Sequence, residues 1–266
     1  MINTLRSGAR NLALPFRRRF RRAVEDPTMP LSLDMDGDSR TLLVAFGGMA
    51  GQLGMPPFEF FKATGEIPVK RLFVRDLHQA WYHRGIPGHG ETLQEAASSL
   101  KKLIAEHDVD RLVVAGNSAG GYAALAFGTL LDAETALCFA PQTVLELDVL
   151  KEWNDDRWDV QLSELVQAGA MDERWTDVRS ALQEFGSGRS GGGRGGGGGG
   201  GPRYEVYFDE TLEVDRLHAD RLAGIEGVRL HRLKGGAHSV AQEMRESGQL
   251  ERVLHRALLP GVAGRS

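Results

Sequence analysis

The sequence has little of what secreted or membrane-spanning proteins depend on. Its single cysteine, Cys138, excludes an internal disulfide. No apolar run approaches the roughly 18 residues that a bilayer-spanning helix needs, so the sequence predicts no membrane span. The N-terminus carries arginines where a signal peptide would have a long apolar core. We therefore expect a protein of the reducing cytoplasm.

The charge of the chain is unevenly distributed. Its 266 residues carry a formal net charge of −4, yet residues 1–22 hold seven arginines and no acidic residue. These are Arg6, Arg10, Arg17, Arg18, Arg19, Arg21 and Arg22. We interpret residues 1–30 as a solvated basic tail. The alternative is contact with an anionic membrane surface or nucleic acid; we expect at most a weak membrane-surface contact and no specific nucleic-acid partner.

Short β-branched or aliphatic runs alternate with helix-like stretches through the rest of the chain. This alternation predicts an α/β fold with a mostly parallel central sheet and helices on both faces. The predicted strands are Thr41–Phe46, Arg71–Arg75, Arg111–Ala115, Thr135–Phe139, Tyr204–Phe208 and Val228–Leu233, with an antiparallel edge strand at residues 31–35. Apolar residues at three- and four-residue steps predict a helix between Leu93 and Ile104, and residues 119–131 and 239–258 are interpreted as further helices.

Two segments interrupt this alternation. We predict an α/β core over residues 31–141 and 202–260, with a cap or lid inserted at residues 142–185. Residues 186–201 contain twelve glycines in sixteen positions, which predicts a flexible linker. A phosphate-binding loop is disfavoured because Pro202 and a strand follow instead of Lys-Ser/Thr and a helix.

The most informative motif is Gly116-Asn117-Ser118-Ala119-Gly120. It fits G-x-S-x-G directly after one predicted strand and directly before a helix. Such a sharp turn exposes the serine hydroxyl at the helix N-terminus, where backbone N–H groups favour developing negative charge. Ser118 is thus the predicted nucleophile and the Ala119 N–H a predicted oxyanion donor. The plainer interpretation is a glycine-rich turn that only packs tightly.

A serine nucleophile needs a base and an orienting acid. His238 lies on the loop after the last predicted strand, where chain order puts the base. The acid is expected after the strand at Tyr204–Phe208, and we favour Asp215 while Asp209 stays the alternative. A second oxyanion donor is expected on the glycine-rich loop after Thr41–Phe46.

That loop reads Gly47-Gly48-Met49, and either Met49 or Gly48 would offer its backbone N–H. His78, His83 and His89 follow another strand, but their spacing fits no known metal-ligand pattern, so no metal is predicted. With Asp76, Trp81 and Tyr82 they are expected to line the pocket or to pack the loop. Cys138 is expected to be a buried structural thiol, and no cofactor is predicted.

In order, TLLVAFGG, GNSAGGYAALAFG, CFAPQT, DRLHADRL and GGAHSV resemble the α/β-hydrolase superfamily. More narrowly, the chain is similar to bacterial serine-hydrolase-like proteins with a GNSAGGYAA nucleophile elbow and an F-x-P-Q-T segment, often found beside polysaccharide or cell-surface biosynthesis functions. The resemblance covers about residues 40–145 and 203–250. It implies Ser118 and His238 as catalytic residues, and Asp215 through its D-x-x-H-A segment. The chain departs at Gly47-Gly48, where His-Gly is usual, and at Thr211, where an Asp is common.

The sequence therefore predicts a serine hydrolase that cleaves an ester or thioester through a Ser-His-Asp triad and an acyl-enzyme. The expected partner is a small-molecule or glycan-linked acyl substrate. One alternative is an acyltransferase on a glycan or natural-product intermediate. Another is a non-catalytic binding protein with the same fold.

Overall fold

A computed structural model describes residues 26–49, 59–189, 201–235 and 238–260. A seven-stranded sheet forms its centre. The strands are β1 Leu31–Asp34, β2 Thr41–Phe46, β3 Lys70–Val74, β4 Arg111–Asn117, β5 Thr135–Phe139, β6 Arg203–Asp209 and β7 Val228–Leu233. The described residues do not include residues 1–25 of the predicted basic tail or residues 190–200 of the predicted linker.

The sheet has the order β1-β3-β2-β4-β5-β6-β7. β1 pairs antiparallel with β3, and every other neighbouring pair is parallel. The predicted mostly parallel sheet with an antiparallel edge strand is confirmed. The register pairs Phe46 with Gly116 and Asn117 with Phe139, so β2, β4 and β5 end at one edge of the sheet. Residues that follow these strands therefore meet there.

Helices cover both faces of the sheet. They are α1 Glu59–Ala63, α2 Leu93–Ala105, α3 Ala119–Leu130, α4 Leu147–Glu152, α5 Asp159–Gln167, α6 Val178–Arg189, α7 Glu213–Asp220, α8 Val240–Glu246 and α9 Gln249–Leu258, with a 3₁₀ turn at Glu173–Trp175. Along β2, Leu42 and Val44 join one hydrophobic cluster, while Leu43 and Ala45 join the other. This alternation follows from the two-residue period of a strand, and it buries both faces.

The C-terminal helical region differs from its prediction. One helix over residues 239–258 was expected, but α8 ends at Glu246 and α9 begins at Gln249. Gly248 lies between them with φ +68°, a left-handed conformation that breaks the helix and that glycine adopts at little cost. None of the helices in the described part of the chain combines the length and apolar character needed to cross a bilayer.

The segment between β5 and β6 packs firmly on the core. It contains α4, α5, the 3₁₀ turn and α6. The Tyr122 hydroxyl donates to the Trp175 carbonyl oxygen at 2.9 Å, and the Asp172 N–H donates to His83 Nδ1 at 2.8 Å. Helix α6 continues to Arg189, so the first residues of the predicted linker at 186–201 are helical.

Candidate active site

Ser118 occupies a strained turn between β4 and α3. Its backbone angles are φ +56° and ψ −120°, a combination that non-glycine residues rarely adopt. The Ser118 N–H donates to the Phe139 carbonyl oxygen at 2.9 Å, which ties the turn to the end of β5. Backbone strain of this kind persists only where the surrounding structure enforces it.

Two glycines make this turn possible. A Cβ atom at Gly116 would lie 1.9 Å from the carbonyl oxygen of Gly120. A Cβ atom at Gly120 would lie 2.4 Å from the carbonyl oxygen of Phe46. Both separations are far below van der Waals contact, so any side chain would push the turn away from β2 and β4.

The predicted nucleophile, base and favoured acid form one hydrogen-bonded chain. His238 Nε2 lies 2.9 Å from Ser118 Oγ. His238 Nδ1 lies 2.9 Å from each carboxylate oxygen of Asp215. Asp215 is in the first turn of α7 and is almost completely buried, whereas 23% of the His238 side chain is exposed. Nδ1–H therefore donates to Asp215, which leaves Nε2 free to accept the serine proton.

Asp209, the alternative acid, has a different contact. It is the last residue of β6 and is fully buried. One of its oxygens accepts from the Thr211 N–H at 2.8 Å and from the Thr211 hydroxyl at 2.7 Å. No hydrogen bond joins Asp209 to His238, both of which are described residues. Asp209 therefore fixes the turn that leads into α7.

Two of the three predicted oxyanion donors, Ala119 and Gly48, lie next to the Ser118 turn. Ala119 is the first residue of α3, so its N–H has no partner within the helix. Gly48 lies against the elbow, since a Cβ there would be 3.1 Å from the Asn117 carbonyl oxygen and 3.7 Å from the Gly120 nitrogen. Met49 follows it and is buried. Gly48 is thus close to the elbow, and Met49 stays a prediction as the alternative donor.

The loop that carries Gly48 is fixed by Tyr82. The Tyr82 hydroxyl lies 2.9 Å from the Gly47 carbonyl oxygen and 3.1 Å from that of Val74. Tyr82 is fully buried, and burial raises its pKa well above the usual value, so it stays a neutral donor. The Asp76 carboxylate accepts the Tyr82 N–H at 3.0 Å. Tyr82 was expected to line the pocket or to pack the loop, and through these contacts it positions the predicted oxyanion loop.

Arg157, in the inserted segment, contacts the predicted acid and was not identified from the sequence. Its Nε and Nη2 donate to the two oxygens of Asp155 at 2.6 and 2.8 Å, and its Nη1 donates to Asp215 at 3.3 Å. Burial disfavours the charged guanidinium, yet the pKa of Arg157 is raised because hydrogen bonds and attraction from Asp155 and Asp215 outweigh it. Burial likewise opposes the charge of Asp155, but Arg157 and His218 hold its pKa well below the usual range.

His218 connects this pair to the FAPQT segment. Its Nδ1 accepts the Thr143 N–H at 3.1 Å, so the ring proton is on Nε2, which donates to Asp155 at 3.3 Å. Burial lowers the pKa of His218, with Asp155 opposing that effect. The Thr143 hydroxyl also donates to the His218 carbonyl oxygen at 2.8 Å. The FAPQT and DRLHADRL motifs, which carry Thr143 and His218, were a sequence signal for the contact between these two residues. Nothing in the sequence pointed to Asp155 or Arg157.

The three clustered histidines do not converge. His83 is buried between the Asp172 N–H and the Tyr122 hydroxyl, and burial lowers its pKa to about 4. His89 Nδ1 lies 3.3 Å from Ser99 Oγ. Among the described residues, no group of three or more His, Cys, Asp or Glu side chains could hold a metal ion. Cys138 is fully buried, which raises its thiol pKa well above the usual value.

No protein-family model matches the sequence, and the search of curated proteins gives no match. Solved structures do match. A thermostable esterase from Pseudomonas putida has a TM-score of 0.53 at 16% identity, over 85% of this chain and 76% of the esterase. An α/β-hydrolase enzyme from the metagenome of Moroccan lagoon sediments has a TM-score of 0.52 at 14% identity, over 85% and 93%.

An acylaminoacyl peptidase from Pyrococcus horikoshii also matches, with a TM-score of 0.53 at 12% identity. The match covers 89% of this chain and 40% of the peptidase. At these identities the similarity is one of fold. The chain has the α/β-hydrolase fold, as the sequence predicts.

Proposed function

We propose that this protein is a serine hydrolase that cleaves a carboxylic ester or thioester. The observation that carries the proposal is the continuous chain from Ser118 Oγ through His238 to Asp215, with 2.9 Å at each step. A strained nucleophile, a base within hydrogen-bond reach and a buried acid are the arrangement that activates a serine. The fold alone would not carry this conclusion, because it serves many functions.

The reaction follows from these positions. His238 Nε2 removes the Ser118 proton while the serine oxygen attacks the carbonyl carbon. The Ala119 N–H and that of Met49 or Gly48 stabilise the oxygen that becomes negative. His238 then gives its proton to the leaving alcohol or thiol, and an acyl-serine remains. Water, deprotonated by the same imidazole, releases the acid and restores Ser118.

The substrate class in this proposal is a small molecule or glycan that carries an acyl group. The mechanism uses only side chains and backbone N–H groups, so it includes no cofactor. The same acyl-serine could pass to an alcohol or amine, which would make the protein an acyltransferase. What separates the two outcomes is the acceptor, and the experiment must therefore offer both water and an alcohol.

A fluorophosphonate probe tests the nucleophile directly, because only an activated serine reacts rapidly with it. We expect labelling of the wild type, none of Ser118→Ala, and full labelling of Ser98→Ala, an exposed serine on α2 that serves as the matched control. A p-nitrophenyl ester series of increasing acyl length, with and without an added alcohol, then ranks substrates and acceptors. Labelling that survives Ser118→Ala would contradict the assignment. A folded wild type that neither labels nor turns over would favour a binding protein.

A further inference from the structure

A charged side chain from the inserted segment reaches the predicted triad. Arg157 lies between α4 and α5, outside the core elements that carry Ser118, His238 and Asp215. Its Nη1 is 3.3 Å from Asp215 Oδ1 and 3.2 Å from His238 Nδ1. The His238 Nδ1–H already donates to Asp215, so Arg157 Nη1 does not donate to Nδ1. His238 and Arg157 instead lie side by side as two donors to the Asp215 carboxylate.

The charges around Arg157 require a cation at this place. Asp155 and Asp215 each expose only 2% of their side chains. A buried carboxylate is costly unless it is paired and hydrogen-bonded. Among the described residues, no arginine or lysine other than Arg157 forms an ion pair with Asp155 or Asp215. A guanidinium stays charged at every working pH, whereas the imidazole of His238 gains and loses its charge during the reaction.

Arg157 is itself held in place. Asp155 binds it with two parallel hydrogen bonds, the geometry that fixes a guanidinium most firmly. Asp155 in turn accepts from His218, and His218 is fixed by Thr143. The guanidinium therefore approaches Asp215 from a hydrogen-bonded support that includes α7 and the segment after β5.

We propose that Arg157 is a positioning residue, which orients the Asp215 carboxylate toward His238 and compensates its buried charge. The inserted segment thereby contributes to the reactivity of Ser118 without contacting the substrate. This inference rests on the proposed serine hydrolase function, since it assigns Arg157 a part in that mechanism.

A substrate-binding role would use Arg157 differently. Three of the five guanidinium N–H donors are engaged by Asp155 and Asp215. The two carboxylates also offset its charge, so little attraction is left for an anionic substrate group. An anion-binding Arg157 would change KM, whereas a positioning Arg157 changes kcat.

The pH dependence separates positioning from plain structural support. The charged groups that face His238 are Asp215 from α7 and Arg157 from the inserted segment, and Asp155 and His218 face Arg157 from behind. Removal of Arg157 takes a like charge away from the protonated imidazole. We therefore expect the acidic limb of the kcat/KM profile to move to higher pH.

The experiment compares Arg157→Gln and Arg157→Lys with a matched control, Arg174→Gln, an exposed arginine of the same segment that pairs with Glu184. For Arg157→Gln we expect kcat on a p-nitrophenyl ester to fall about 100-fold, the scale of misplacing a reacting group by about 1 Å. KM should stay within about twofold, and the acidic limb should move to higher pH. Arg157→Lys keeps the charge but not the double hydrogen bond, so it should lie between Arg157→Gln and the wild type.

The outcomes are distinct. An active wild type with an equally active Arg157→Gln, or a raised KM at unchanged kcat, would overturn the inference and leave the hydrolase proposal intact. An inert wild type would defeat the hydrolase proposal itself. If melting curves show that Arg157→Gln does not fold, Arg157→Lys decides alone, and a wild-type kcat would count against positioning.

Discussion

Replacement of Asp215 by Asn tests the acid more sharply than removal of its side chain. Arg157 Nη1 donates to Asp215 Oδ1, so the Asn amide is expected to turn its carbonyl oxygen toward the guanidinium. Its NH2 group then faces His238 Nδ1, which must become an acceptor. The ring proton moves to Nε2, opposite Ser118, and the base is lost. A wrong tautomer of this kind costs on the order of 10⁴ in kcat.

Asp209→Asn is the matched control at the alternative acid, the last residue of β6. Asn keeps the oxygen that accepts from Thr211, and its NH2 replaces the carboxylate oxygen that has no partner among the described residues. We expect kcat within a few-fold of the wild type and a melting temperature within a few degrees. The assay is turnover of a p-nitrophenyl ester beside thermal unfolding followed by circular dichroism. A larger loss of kcat in Asp209→Asn than in Asp215→Asn would refute the assignment and transfer the role to Asp209.

Two further predictions concern buried groups around the site. Tyr82→Phe removes the hydroxyl that binds the Gly47 carbonyl oxygen. We expect the free energy of unfolding, measured in urea, to fall by about 1 kcal/mol, and kcat to fall because the predicted oxyanion loop is held less firmly. Unchanged values of both would contradict this role. Burial lowers the pKa of His83 from 6.5 to about 4. Neutral His83 therefore contributes about 3 kcal/mol to the free energy of unfolding above pH 6.5, and this contribution is lost as pH falls toward 4. His83→Asn should therefore unfold with a weaker dependence on pH across that interval, and an unchanged dependence would argue against a buried neutral imidazole.

The sequence was most informative where the signal was local. The central strands are short apolar runs whose side chains alternate between the two faces of the sheet, so they predict a sheet covered on both faces. The elbow could be predicted because Gly116 and Gly120 flank Ser118 within five residues between a strand and a helix. The contact of His238 with Ser118 could be expected because His238 lies on the loop after the last strand and comes last in the chain order. The split at Gly248 was missed because a single glycine inside a helical segment is often tolerated and was not interpreted as a helix end.

The choice between Asp209 and Asp215 depends on a contact that spacing does not encode. Asp209 ends β6, and Asp215 lies six positions later. Asp209 uses its oxygen to hold Thr211, and that turn sets the direction in which α7 leaves the sheet. In the helix, Asp215 and His218 are three residues apart and share one face, so a helix that brings Asp215 to His238 also brings His218 to Asp155. Asp209, which does not contact His238, thus helps to position the helix that brings Asp215 to His238.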